Sequence, residues 1–278
     1  FNPNITTFIL AGVIWMLGWS MIILGMLTRL RTSIILIIGI AMIAFQQLFQ
    51  HVPSLLPSSA RESFGKIWAF FYYTDYEPAG GINVLYVLLP WVGVMMVGYS
   101  FGVLLLKEAR IRNKACLWIG TIAILLFVGF GIAFSLNQKN NEMPVLLQVL
   151  NQKKYPPSQL FLLMTLGPLI ILIPALEKAK GWLARILSVF GKVPMFFYLS
   201  HILIIHLLAL LVNFIRTGQS GLGWYMTAPY AQVPNEMHWS LPLLYGIVLV
   251  AICILYFSCR WYAAYKTKHP GNQVIKYL

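Results

Sequence analysis

Side chains able to do chemistry are scarce in this chain, and they gather in two places. The denser is the run Asn151-Gln152-Lys153-Lys154-Tyr155-Pro156-Pro157-Ser158, set against the start of a long apolar stretch. Paired prolines favour an extended approach and then a helix start, which puts Ser158 at the head of that helix. Free backbone N–H groups there, with Lys154 beside them, would make an anion or oxyanion site, although membrane-interface punctuation explains the same residues. The second place is an apolar run carrying His201 and His206, with Asn213 toward its far end. Ionisable groups inside a membrane span are costly and face a cavity, a partner or a substrate path. At 100° per residue the two histidines lie roughly 140° apart, so they do not share a face as metal ligands would. Tyr198 and His201 are i, i+3 neighbours, and a hydrogen bond between helices is the alternative role for either histidine.

These groups must be positioned by long apolar elements. The 278 residues are 59% hydrophobic and only 10% charged, far more apolar than a soluble domain. A span needs about 20 apolar residues to cross roughly 30 Å of hydrocarbon. On that measure the chain holds about seven helices: 7–27, 33–49, 82–106, 115–135, 158–176, 194–215 and 241–260. The expected fold is therefore an all-α, polytopic membrane helix bundle forming a single domain over 1–278. Pro168 predicts a kink in the fifth helix. Gly98 with Gly102 on the third, and Gly18 with Gly25 on the first, predict close helix packing.

Charge sets the orientation. Fourteen of the twenty Lys and Arg residues fall in alternate connections: Arg29 and Arg31; Lys107, Arg110, Arg112 and Lys114; Lys178, Lys180, Arg185 and Lys192; Arg260, Lys266, Lys268 and Lys276. Positive loops stay in the cytoplasm, which places the amino end outside and the carboxyl end inside. The net charge of +13 then points to anionic lipid headgroups rather than nucleic acid as the counter-charge. The outward loops are 51–81, 137–157 and 216–240. Their aromatics, including Phe70-Phe71-Tyr72-Tyr73 and Trp224, suit the headgroup level. Between Glu177 and Lys192, Trp182, Leu183, Ile186, Leu187 and Phe190 make an apolar stripe with Lys178, Arg185 and Lys192 off it, which predicts a helix lying in the inner interface. Cys116, Cys253 and Cys259 suggest neither a disulfide framework nor a metal site.

No phosphate loop, nucleophile elbow or zinc-type histidine spacing is present in the sequence. Several ordered segments do, however, resemble a bacterial membrane family related to heparan-α-glucosaminide N-acetyltransferase. Leu17-Gly18-Trp19-Ser20-Met21-Ile22 is similar to that family's Trp-x-x-Gly-Trp-Ser-Met helix. Leu89-Pro90-Trp91-Val92-Gly93-Val94, continued by Gly98-Tyr99-x-Phe101-Gly102, resembles its Pro-Trp-Ile-Gly segment. Lys154-Tyr155-Pro156-Pro157-Ser158, running on to Gly167, is the most specific match. Phe190-Gly191-Lys192-Val193-Pro194 and Phe197-Tyr198-Leu199-x-His201 follow, then Cys259-Arg260-Trp261-Tyr262 and Lys276-Tyr277-Leu278.

The resemblance implies a transmembrane acyltransferase in a bacterial cytoplasmic membrane. Such an enzyme takes an acetyl group from cytoplasmic acetyl-CoA and gives it to an acceptor, typically a sugar or glycan, at the other face. Lys154, Tyr155 and Ser158 would line the acceptor or transfer region, and His201 would line or orient the donor path as a catalytic residue. The basic inner loops would meet the CoA phosphates. Departing from the family, the sequence has no Ile-Asp-x-x-Arg-Gly opening and no outward histidine helix. The resemblance thus implies a fragment, inactive by itself, whose three front helices and principal base lie upstream of Phe1. A transporter or flippase for a sugar or lipid-linked intermediate would use the same helices without acyl chemistry, and a non-catalytic partner in envelope assembly is a third reading. Acceptor identity, N- against O-acetylation and homo-oligomerisation stay open.

Overall fold

In hydrocarbon every backbone N–H and C=O must be paired within its own segment, which forces long apolar runs into helices. A computed structural model of the chain, describing residues 9–78, 81–137, 143–219, 235–269 and 272, has a helix in each of the seven apolar runs. These are α1 (Val13–Leu27), α2 (Thr32–Ala44), α4 (Leu88–Leu105), α5 (Ala109–Asn137), α7 (Gln159–Leu176), α9 (Pro194–Thr217) and α10 (Leu241–Lys268). The chain is an all-α, polytopic membrane protein. Five of these helices, α4, α5, α7, α9 and α10, are long and apolar enough to cross a membrane. A sixth span arises if α2 is joined to the 3-10 helix Gln46–Leu55, from which it is bent by 74°. With 15 residues, α1 is shorter than the about 20 a straight span needs.

Several boundaries differ from expectation, each for a local reason. Residues 9–11 and 82–84, expected inside the first and third helices, instead form a parallel pair of short strands, β1 (Ile9–Ala11) and β2 (Ile82–Val84). The second helix ends at Ala44, because Gln46 and Gln47 send their amides to partners outside it. The 51–81 connection carries α3 (Ser58–Trp68), and the 137–157 connection carries α6 (Val145–Leu150). The aromatic run 70–73 is not only an interface anchor: Tyr72 is buried, Phe71 packs on the core, and the carbonyls of Phe70 and Phe71 accept from the Leu88 and Leu89 amides at the start of α4. Trp224 and residues 276–278 lie outside the described residues.

Contacts divide the chain into two compact units, with the boundary between Lys178 and Ala179. In the first unit, Ile35 of α2 meets Leu88, Val92 and Met96 of α4, flanked by Trp15, Leu24 and Phe71. The helices approach closest at glycines. A Cβ placed on Gly39 would stand 2.9 Å from the Gly93 carbonyl, and one on Gly120 would stand 2.7 Å from the Gly167 carbonyl. Gly39 and Gly120 therefore set the α2–α4 and α5–α7 contacts. By contrast, a Cβ on Gly18, Gly25, Gly98 or Gly102 meets nothing within 4 Å, so the small-residue pairs singled out in the sequence are not packing faces of this structure. α7 runs as one helix through Pro168 and Pro174. At its far end Arg112 of α5 forms an ion pair with Glu177.

The second unit holds α8 (Trp182–Lys192), α9 and α10. Val193, Cys259 and Tyr262 form its buried centre, with Phe196 stacked on Tyr262 at 4.3 Å between centroids. α8 is amphipathic as expected, and starts at Trp182 after Gly181, whose φ of 110° favours glycine. Trp182, Leu183 and Leu187 leave an apolar face uncovered by protein, suiting a helix that lies in the interface plane.

The glycine contacts make a direct stability prediction. Gly120→Leu should destabilise the protein by about 1–3 kcal/mol, because the Gly167 backbone cannot move away cheaply. Gly102→Ala, open on all sides, should be neutral or stabilising by about 0.5–1 kcal/mol. Thermal unfolding in one detergent checks both, and equal effects would contradict the packing described.

Candidate functional site

The Lys154–Ser158 segment is shaped by its own backbone and by three glutamines. The Tyr155–Pro156 peptide is cis, and Lys154 bridges back to Pro157. Pro157 is buried, and its carbonyl accepts a 2.9 Å hydrogen bond from Gln46 Nε2. Gln47 and Gln159 exchange amide hydrogen bonds, each 2.7 Å long, and Gln159 Nε2 also lies 3.1 and 3.2 Å from the Ile43 and Ala44 carbonyls. Those carbonyls belong to the last turn of α2, which the bend would otherwise leave short of donors. One amide cluster thus caps the end of α2 and fixes the start of α7. Ser158 is the N-cap of α7, its hydroxyl accepting from the Phe161 amide at 3.0 Å, as the proline pair predicted. That bond uses one of the free amides expected to bind an anion.

Lys154 and Tyr155 assemble with Tyr86, which lies just before α4. The Tyr86 and Tyr155 hydroxyls are 3.3 Å apart, with the rings edge to face at 5.2 Å. Lys154 Nζ stands 5.1 Å from the Tyr155 ring centroid and 6.0 Å from that of Tyr86, within cation–π range. Burial opposes ionisation of Tyr155. Hydrogen bonds with Tyr86 and Lys154, and the Lys154 charge, outweigh it and hold the phenol below its ordinary value. Tyr86 moves up, through burial first and then its bond to Tyr155. The Tyr155 bond likewise raises Lys154, against burial. Trp91 packs 5.6 Å from Tyr86, and its indole N–H is buried without a partner among the described residues. Such an unmatched donor costs about 1–3 kcal/mol unless a ligand or water meets it.

Beside this cluster, where the end of α5 meets α6 and the start of α7, lies a cavity of about 490 Å³. Five carboxamides line it, those of Gln47, Gln148, Asn151, Gln152 and Gln159, together with Ser135, Ser158 and Lys153. Ser135 donates to Gln148 Oε1 at 2.6 Å, and Ser158 donates to Gln152 Oε1 at 3.3 Å. Tyr86, Gln46, Gln47, Ser135, Gln148 and Gln159 were not singled out in the sequence. The one available signal was Gln46-Gln47 interrupting an otherwise apolar run.

His201 belongs to the second unit. Its Nδ1 lies 3.2 Å from the Phe197 carbonyl, its ring stacks on Phe197 at 5.5 Å, and Tyr198 meets it edge-on at 5.3 Å. A proton on Nδ1 shared with that carbonyl leaves Nε2 as the basic nitrogen. Asn213 has a structural role, since its Oδ1 accepts from Trp239 Nε1 at 2.9 Å. The segments thus bring Lys154, Tyr155 and Ser158 together, while His201 is held by its own helix.

The Lys154–Tyr155 pairing is readable by titration. Tyr155 should ionise ahead of an ordinary phenol in an alkaline absorbance titration. Tyr155→Phe should remove that early phase, and Lys154→Met should move it upward. Superimposable curves for Lys154→Met and the parent would contradict the pairing.

Residues 3–132 match the family model described as heparan-alpha-glucosaminide N-acetyltransferase, catalytic. The match contains the Trp19-Ser20 helix, the Pro90-Trp91 segment and Tyr86; residues 154–167, 190–201 and 259–278 lie outside it. No curated protein and no solved structure matches the chain. The likeness to the heparan-alpha-glucosaminide N-acetyltransferase family thus extends over residues 3–132, somewhat less than half of the chain.

Proposed function

We propose that this protein is a multi-pass acyltransferase of a bacterial cytoplasmic membrane, moving an acetyl group from cytoplasmic acetyl-CoA to a sugar or glycan acceptor at the outer face. The family match over residues 3–132 carries this reading. It is supported by the way Tyr86, inside the matched stretch, meets Lys154 and Tyr155, outside it. In the transfer, the acceptor's O–H or N–H proton passes to a base, the new bond forms at the acetyl carbon, and the C–S bond breaks to release CoA. Lys154 and Tyr155 supply donors where negative charge grows on the carbonyl oxygen, and Ser158 holds the start of α7 against them. His201, with Nε2 basic, lines the donor path. Lys107, between α4 and α5, and Arg110 and Lys114, in the first turns of α5, would meet the CoA phosphates, while Arg112 is already engaged with Glu177.

Labelled acetyl-CoA and acceptor glycans on opposite sides of proteoliposomes holding the intact protein test the proposal. Transfer of label is expected. Lys154→Ala should lower kcat/KM by about 10²-fold while leaving the fold intact, since Lys154 is exposed. Sugar crossing the membrane with no acetyl-CoA consumed would replace the reading with a transporter.

A further inference from the structure

We infer that the carboxamide-lined cavity binds a neutral, hydroxyl-rich ligand of about disaccharide size, and that it disfavours a protonated amino sugar. The inference deepens the transfer reading and rests on it for the claim that this ligand is the acetyl acceptor.

The cavity's chemistry carries the argument. A carboxamide offers two N–H donors and a carbonyl acceptor, matching a hydroxyl, which also gives and takes. Five of them converge on about 490 Å³. Some of their capacity is used within the protein. Gln47 and Gln159 satisfy each other, Gln148 accepts from Ser135 and donates to the Met143 carbonyl, and Gln152 gives one N–H to the Val149 carbonyl at 2.8 Å while accepting from Ser158. That leaves Gln152 one donor and one lone pair for a ligand. Asn151 is exposed at the rim, and its side-chain amide bonds to none of the described residues. One cation, Lys153, stands in its lining, so an ammonium there meets like charge whereas a hydroxyl does not. Phe134, in the lining, adds an apolar ring of the kind that packs on a sugar. An acceptor that carries hydroxyls and no amine reacts through oxygen, so this selectivity would favour O-acetylation over N-acetylation.

Calorimetry on the full chain in lipid nanodiscs, without acetyl donor, separates binding from transfer. The probes are cellobiose and its diamino counterpart, glucosaminyl-glucosamine, at a pH where the amines are protonated. Cellobiose is expected to bind more tightly than the diamine. Asn151→Leu, at the exposed rim where folding is not at stake, should weaken cellobiose about tenfold, as should Gln152→Leu. Lys153→Gln should shift the ratio about tenfold toward the diamine. The inference is overturned if the diamine binds the parent as tightly as cellobiose, if Asn151→Leu changes nothing, or if cellobiose fails to bind. Cellobiose binding without acetyl transfer would instead count against the transfer reading alone.

Discussion

Backbone contact between α5 and α7 is the constraint on which the first unit turns. Gly120 admits the Gly167 carbonyl at a distance no side chain would allow, and that approach runs the two helices side by side along their lengths. At one end the contact places Arg112 against Glu177. At the other it leaves the last turns of α5 and the first of α7 near enough for α6 to close the space between them, and the polar cavity is the result. In lipid, where apolar side chains gain little from meeting one another, close packing of this kind is what holds helices together.

The second constraint is the joint made by Gln46, Gln47 and Gln159. Each of these amides would be costly in hydrocarbon without a partner. Gln47 and Gln159 find partners in one another and in the carbonyls at the broken end of α2, and Gln46 Nε2 finds the Pro157 carbonyl, while Gln46 Oε1 stays buried without a partner among the described residues. The bend in α2 and the position of the Lys154–Ser158 segment are therefore one structural event. It explains how a family match confined to residues 3–132 bears on residues beyond it: Tyr86, from the matched stretch, and Tyr155, from outside, are held within hydrogen-bonding distance.

Much of this was legible in the sequence because the bilayer permits few solutions. Apolar runs of span length had to be helices, the stripe at Trp182–Phe190 had to be amphipathic, and the proline pair had to deliver Ser158 to a helix start. Tertiary partners were not legible. Gly98 and Gly102 have the spacing of a packing motif, yet open space surrounds them, while Gly39 and Gly120, which have no such spacing, do the packing. A glycine's role depends on what faces it, which local pattern does not carry. The strand pair and α3 were missed for a related reason: Ile82–Val84 reads as the start of a helix until its pairing with Ile9–Ala11, 73 residues earlier, is known. Tyr86 was hidden inside the run 82–106 read as the third helix, and only the fold shows that it precedes α4 and that its hydroxyl meets Tyr155.

The account's central claim is that the cavity and the Lys154–Tyr155–Tyr86 cluster face the acceptor side, opposite the basic first turns of α5. Sided labelling tests it most directly. In a Cys253→Ser background, which removes the exposed native thiol, single cysteines replace Asn151 at the cavity rim and Lys114 in the basic first turns of α5. A membrane-impermeant maleimide is then applied to intact spheroplasts. The account predicts that Asn151→Cys labels at once and Lys114→Cys only after permeabilisation. Labelling of both from outside, or the reverse order, would contradict it.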